Sequence, residues 1–270
     1  MKKSESPQKN TIDLQIKSPA IPSSAFRGSA RHSRLVCAEL ARLYPESSCA
    51  LNYRDLFELI VATILSAQCT DKRVNIVTKS LFERYPNAAT LAAADPAELE
   101  RIIFSTGFYK AKAKNLISMA QGLMNHHQGQ VPETLESLTK LAGVGRKTAN
   151  VVLGVGRGIT SGIVVDTHVT RLSQRLGLTR QSSAVAIERD LVKALPKAEW
   201  VLISLRMIDH GRAVCKAGRP ACSRCELVRI CPRIGVENLA LKSTPKRASK
   251  PLASKSADEP DLGSHDVIKP

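Results

Sequence analysis

Aromatic residues are scarce in this 270-residue chain: Phe, Trp and Tyr together make up 4%, and Trp200 is the single tryptophan. The abundant residues are Leu, Ala, Ile, Val, Lys and Arg, a usage that favours helices over a β-sandwich. Long apolar runs are missing too. Nothing approaches the roughly 20 residues that span a bilayer, and the opening MKKSESPQKNTIDLQIKSPA has no continuous apolar stretch of the kind that exports a protein. A non-membrane protein of a reducing, cytoplasmic compartment is expected. Acidic residues are in deficit, with 24 Asp and Glu against 40 Lys and Arg, a formal net charge of +16. Residues 28–235 alone hold 17 acidic and 29 basic side chains, so most of the excess belongs to the body of the chain. A basic body suits a polyanion such as nucleic acid. The cysteines lack an even count: there are seven, four of them between 215 and 231. In a reducing compartment such crowding reads as metal ligation more readily than as disulfides.

A hydrophobic content of 43% is enough to bury a core. Residues 1–27 and 236–270 are rich in Ser, Pro and Lys without apolar periodicity, and are expected to be disordered. Between them the punctuation is that of short helices. Asp95-Pro96-Ala97-Glu98 supplies an N-cap, a first-turn proline and a capping-box glutamate, and a similar start signal recurs at Pro132. The stretch 54–67 is apolar nearly all round, which predicts a central buried helix. Val169, Leu172 and Leu176 form a helical stripe up to Gly177, and Trp200, Ile203, Met207 and Ile208 form another that ends at Gly211. No convincing alternating strand pattern is present, which again favours a helical architecture.

Chemistry concentrates in two places. In Leu141-Ala142-Gly143-Val144-Gly145-Arg146-Lys147 two glycines make a tight turn before an apolar helical run. Free N–H groups at the start of that helix can hold a phosphate, although the same turn also fits an ordinary helix–helix connection. Lys147, in the first turn, would either pair with phosphate or, deprotonated, attack a sugar C1′ to form a Schiff base. The helix N-terminus and the neighbouring Arg146 both disfavour its ammonium form. Nineteen residues on, Asp166 follows Ile163-Val164-Val165 and precedes a helix. It reads as an N-cap, and a capping carboxylate that also faces a cleft can stabilise a cationic sugar. His168 reads as a packed histidine.

The second place is Cys215-x6-Cys222-x2-Cys225-x5-Cys231. Four thiolates fit either an all-cysteine zinc site or a [4Fe–4S] cluster, and the unequal gaps are unlike paired zinc knuckles. Cys37, Cys49 and Cys69 are scattered and read as small buried hydrophobes.

LAGVGRKTANVVL, VDTHVTR and HGRAVC with the three following cysteines resemble the helix–hairpin–helix DNA glycosylases, and within them the iron–sulfur endonuclease III branch. The loops LSAQCTD and TGFYKAKA are similar as well, and the resemblance runs from about residue 30 to 233. It implies a two-domain all-α fold: a six-helix barrel domain at 49–160 holding the hairpin, and an iron–sulfur cluster domain built from 28–48 with 161–235. It implies a monomeric, nucleoid-associated glycosylase and abasic-site lyase of base excision repair, which removes oxidised pyrimidines from double-stranded DNA and cleaves by β-elimination. On this resemblance Lys147 is the nucleophile and Asp166 its carboxylate partner. Gly143, Val144, Gly145 and Arg146 grip the DNA backbone. Gln68 fills the gap left by the extruded nucleotide, and Phe108 stands where the family places an apolar wedge, although a core position fits Phe108 equally. Cys215, Cys222, Cys225 and Cys231 are the ligands of a [4Fe–4S] cluster. Two positions depart from the family pattern, Ala142 where proline is usual and Thr139 where an acidic residue is common; neither touches Lys147 or Asp166. The adenine-mismatch relatives lack the lysine and carry a further C-terminal domain. A non-catalytic DNA-binding module with a redox or zinc site is the rival from another class.

Overall fold

The structure, a computed structural model, describes residues 29–236. The segments expected to be disordered, 1–27 and all but the first residue of 236–270, lie outside them. The described residues contain no strand, and their helices bury two separate apolar cores.

The first core is wrapped by α2 (Leu56–Leu65), α3 (Asp71–Arg84), α4 (Ala88–Ala92), α5 (Pro96–Ile103), α6 (Tyr109–His127), α7 (Leu135–Thr139) and α8 (Arg146–Val151). α2 is the buried helix that its composition predicts, with Leu59, Ile60, Val61, Ala62 and Leu65 wholly covered. Side-chain oxygens of Asp55, Thr70, Asn87, Asp95 and Thr134 cap the helices they precede, each cap worth about 1 kcal/mol. Two local expectations need correction. Glu98 does not complete a capping box at α5: Arg84 donates to its carboxylate at 2.7 and 3.0 Å and the Tyr85 hydroxyl at 3.0 Å, tying α5 to the end of α3. The start signal at Pro132 is early, because Thr134 accepts the Ser137 N–H and sets the start of α7 at Leu135.

The second core joins α1 (Ala30–Leu43) to α9 (Thr167–Arg175), α10 (Ala184–Ala194) and α11 (Trp200–Ala213), closed by Leu227. The chain thus begins this core, leaves to build the first, and returns. α9 ends at Gly177 as expected: the residue takes φ +70°, its N–H bonds Gln174 O, and Leu178 N–H bonds Ser173 O. α11 instead runs through Gly211. A Cβ on that residue would lie 2.9 Å from both His168 Cδ2 and Arg171 Nη2, so this glycine admits a close approach of α9 and does not end the helix. Ile208 of the same stripe lines a cleft and does not join the core.

α8 leads from the first core toward the second. It continues as a π-helical turn, Val152–Gly156, an arrangement common at functional sites. Gly154 there abuts Val201 of α11, and Gly156 abuts Leu56 and Leu59 of α2.

Candidate active site

Between α7 and α8 the chain turns through Gly143 at φ +74°, where an added Cβ would sit 3.0 Å from Asn115 Cβ. Backbone geometry and space both require glycine there. Val144 is buried and anchors the turn, donating its N–H to Leu141 O at 3.1 Å. Gly145 is the N-cap of α8 with extended backbone, open space where its Cβ would be, and no side-chain cap over the first turn. The start of α8 is therefore open to an outside acceptor.

Lys147 projects from this first turn into a cleft of about 160 Å³ between the two cores. Thr63 and Val151 line it from the first core's side, and Val164, Asp166, Ser204 and Ile208 from the second's. Lys147 and Asp166 thus share one cleft. Asp166 is also the N-cap of α9: one carboxylate oxygen accepts the Val169 N–H at 2.8 Å, and the other stands 3.2 Å from His168 Nδ1. Cap and cleft carboxylate are one residue, and the histidine packed on Gly211 steadies its second oxygen.

Arg146 points elsewhere. Its guanidinium makes a two-pronged pair with Glu188 of α10, 3.1 Å on each arm, which holds the guanidinium charged by raising its pKa further. Glu188 also accepts from Asn150 Nδ2, whose Oδ1 accepts from Ser161. A Cβ on Gly162 would collide with Glu188, so glycine there gives the network room. This network, with Glu188 and Asn150 buried and Arg146 at the surface, braces the Lys147 helix against the second core. Sequence reasoning missed Glu188, because its partners lie about 40 residues away in the chain.

Gln68 and Phe108 are both exposed, Phe108 by 67%, so Phe108 is not a core residue. Both occupy the left-handed region, with φ of 54° and 48°, a conformation that costs a non-glycine residue roughly 1–2 kcal/mol. Cys37 is buried as expected. Cys49 and Cys69 are only half-buried, and Cys49 lines the cleft, because each lies in a loop at the margin of the first core.

Cys215, Cys222, Cys225 and Cys231 follow α11 in one loop, and Cys215, Cys225 and Cys231 pack against the second core. Burial first, and then the three nearby sulfurs, push the Cys231 thiol up to about 11. Arg175 Nη1 donates to Cys215 Sγ at 3.5 Å, and the Arg233 N–H to Cys231 Sγ at 3.4 Å. His210 Nε2 stands 3.6 Å from Cys225 Sγ, with the Tyr44 hydroxyl 2.9 Å from its Nδ1; burial holds this imidazole down to about 4. Among the described residues, no three His, Cys, Asp or Glu side chains are drawn tightly enough together to grip one metal ion. None of the described helices is long and apolar enough to cross a membrane.

The family of HhH-GPD superfamily base excision DNA repair proteins matches residues 61–197. Endonuclease III of Synechocystis sp. is 52% identical over 193 residues, which are 72% of this chain and 88% of that protein. Endonuclease III of Bacillus subtilis is 42% identical over 194 residues, again 72% and 88%. Two solved structures, a non-covalent endonuclease III–DNA complex and a trapped endonuclease III–DNA covalent intermediate, each match with a TM-score of 0.72 at 44% identity, covering 75% of this chain and 95% of theirs. A thermostable thymine-DNA glycosylase shares the fold at 18% identity and a TM-score of 0.66.

Proposed function

The chain belongs to the endonuclease III family of HhH-GPD base excision DNA repair proteins, and on that premise we propose that Lys147 is the nucleophile of its glycosylase and abasic-site lyase activity, acting on oxidised pyrimidines in duplex DNA. The observation that carries the reading is the shared cleft: an amine and a carboxylate from different cores line one cavity beside an open helix start. The Lys147 amine attacks C1′ of the damaged nucleotide. The C1′–N bond breaks, and the base leaves with its electron pair and takes up a proton. The new amine nitrogen loses one proton, the C1′–O4′ bond of the sugar ring then opens with O4′ taking a proton, and the nitrogen lone pair closes the C1′=N bond of a protonated Schiff base. Loss of a C2′ proton then expels the 3′ phosphate. The Asp166 carboxylate lies beside C1′ and offsets the positive charge that develops there. The Gly143–Gly145 turn and the first turn of α8 hold backbone phosphate, with Arg146 acting chiefly as the brace to Glu188. Gln68 and Phe108 enter the base stack as the nucleotide is extruded.

We further assign a [4Fe–4S] cluster to Cys215, Cys222, Cys225 and Cys231, and read residues 28–48 with 161–235 as its domain beside a barrel domain at 49–160. Four soft thiols on one loop, with N–H and guanidinium donors directed at two of the sulfurs, suit a thiolate-bound cluster. When bound, the cluster cross-links this loop.

Incubation with a duplex bearing an oxidised pyrimidine, in the presence of borohydride, is expected to trap a covalent protein–DNA complex that Lys147→Ala abolishes. No complex with the native chain, or an undiminished one with the variant, sinks the assignment. A lesion panel in the same format tests base preference. A brown protein with a broad visible band supports iron–sulfur over zinc.

A further inference from the structure

Lys112 stands on the buried side of α6, in line with Leu116, Met119 and Leu123, yet only 5% of it is exposed. A leucine or methionine would pack there without the cost of burying an amine. Burial lowers the pKa of this lysine, and no carboxylate offsets that cost. Its ammonium instead donates to two main-chain carbonyls, Leu65 O and Thr106 O, each at 2.8 Å. Leu65 is the last residue of α2 and Thr106 the last of the 3-10 turn Phe104–Thr106. Carbonyls at helix ends lack intrahelical partners and carry partial negative charge. Three residues beyond Leu65 lies Gln68, and two beyond Thr106 lies Phe108, the exposed pair with left-handed backbone. Strained conformations persist only where the surroundings hold them.

We propose that Lys112 is a positioning residue that fastens the Gln68 loop and the Phe108 loop together, so that the two side chains enter the duplex as one rigid two-pronged wedge. The proposal rests on the reading that both side chains intercalate. Among the described residues, Lys112 is the one side chain that hydrogen-bonds the ends of both loops, which lie about 40 residues apart in the chain. Without it, each loop end would keep an unsatisfied buried carbonyl, and the two prongs would move independently.

The test uses the full chain and two substrates: a lesion-bearing duplex with 2-aminopurine beside the lesion, and a single-stranded oligonucleotide with an abasic site, which has no stack to part. Lys112→Met is expected to slow both the 2-aminopurine fluorescence rise and borohydride trapping on the duplex by roughly ten- to hundredfold, while changing single-strand trapping by less than about twofold. Lys112→Arg, which can still donate to both carbonyls, is expected to restore most of the duplex rate. In a Gln68→Ala/Phe108→Ala background, Lys112→Met should cost nothing further. Equal losses on both substrates would reduce Lys112 to an ordinary structural residue, and an unchanged duplex rate would remove the clamp. If Gln68→Ala/Phe108→Ala itself leaves the duplex rate intact, the intercalation reading fails first, separately from the clamp. Should Lys112→Met not fold, Lys112→Gln, whose shorter side chain reaches fewer carbonyls, takes its place in the same comparison.

Discussion

At the residue scale, Asp166 performs two tasks that substitution can separate. One oxygen caps α9, the other stands beside His168, and the residue lines the cleft. Asparagine caps a helix about as well as aspartate but carries no charge. Asp166→Asn is therefore expected to keep unfolding stability within about 0.5 kcal/mol, read by urea titration, while slowing borohydride trapping by roughly 100-fold. A large stability loss with trapping intact would make Asp166 a cap and nothing more. Gly145 and Gly154 offer a similar contrast. A Cβ at Gly145 meets open space and the backbone there suits any residue, so Gly145→Ala should leave folding nearly unchanged yet weaken duplex binding by standing where the DNA backbone approaches. A Cβ at Gly154 would lie 2.8 Å from Val201 Cγ2, and Gly154→Ala should cost about 1–3 kcal/mol of stability by overpacking. Melting curves and fluorescence anisotropy on the two variants separate these effects.

At the scale of elements, the helices hold one another by side chains that their local patterns assign elsewhere. Glu98 is the clearest case. Its position promises a capping box for α5, but Arg84 and Tyr85 take the carboxylate and hold its pKa below the ordinary value. A carboxyl lowered in the folded state takes up its proton at a lower pH than in the unfolded chain. Its stabilisation is thus complete above the unfolded value of about 4.3 and is lost as pH falls through the folded one. The difference in melting temperature between the native chain and Glu98→Gln should be widest above about pH 5 and close toward zero in stronger acid. A difference that persists at low pH would mean that the contact acts through packing. The Arg146–Glu188–Asn150 network does for α8 and α10 what Glu98 does for α5 and α3, and two of its members flank Lys147 on α8.

At the scale of the whole molecule, most of the basic excess sits in the body, so affinity for undamaged duplex should fall steeply with salt. A plot of log Kd against log salt is expected to be linear, with a slope near 0.9 per phosphate contacted; a flat plot would contradict binding through the phosphate backbone. The helical architecture, the Gly-x-Gly turn, the capping role of Asp166 and the crowding of four cysteines were legible in the chain alone, because each rests on local periodicity, on backbone sterics or on spacing within a few turns. The helix-end role of Gly211, the core role of Ile208 and the capping-box role of Glu98 failed for a common reason: at each, a neighbour distant in sequence outweighs the local preference. Lys112 drew no reading from the sequence, where it falls in the stretch TGFYKAKA; its place on the buried side of α6 and the carbonyls it meets emerge only in the fold. By itself the sequence singled out the residues that are proposed to carry chemistry. Only the tertiary structure decided that Lys147 and Asp166, from different cores, line one cleft, that Arg146 turns to Glu188, and that one buried amine ties the Gln68 and Phe108 loops. Those outcomes depend on how two cores dock, and docking is set by contacts between residues that no local period relates.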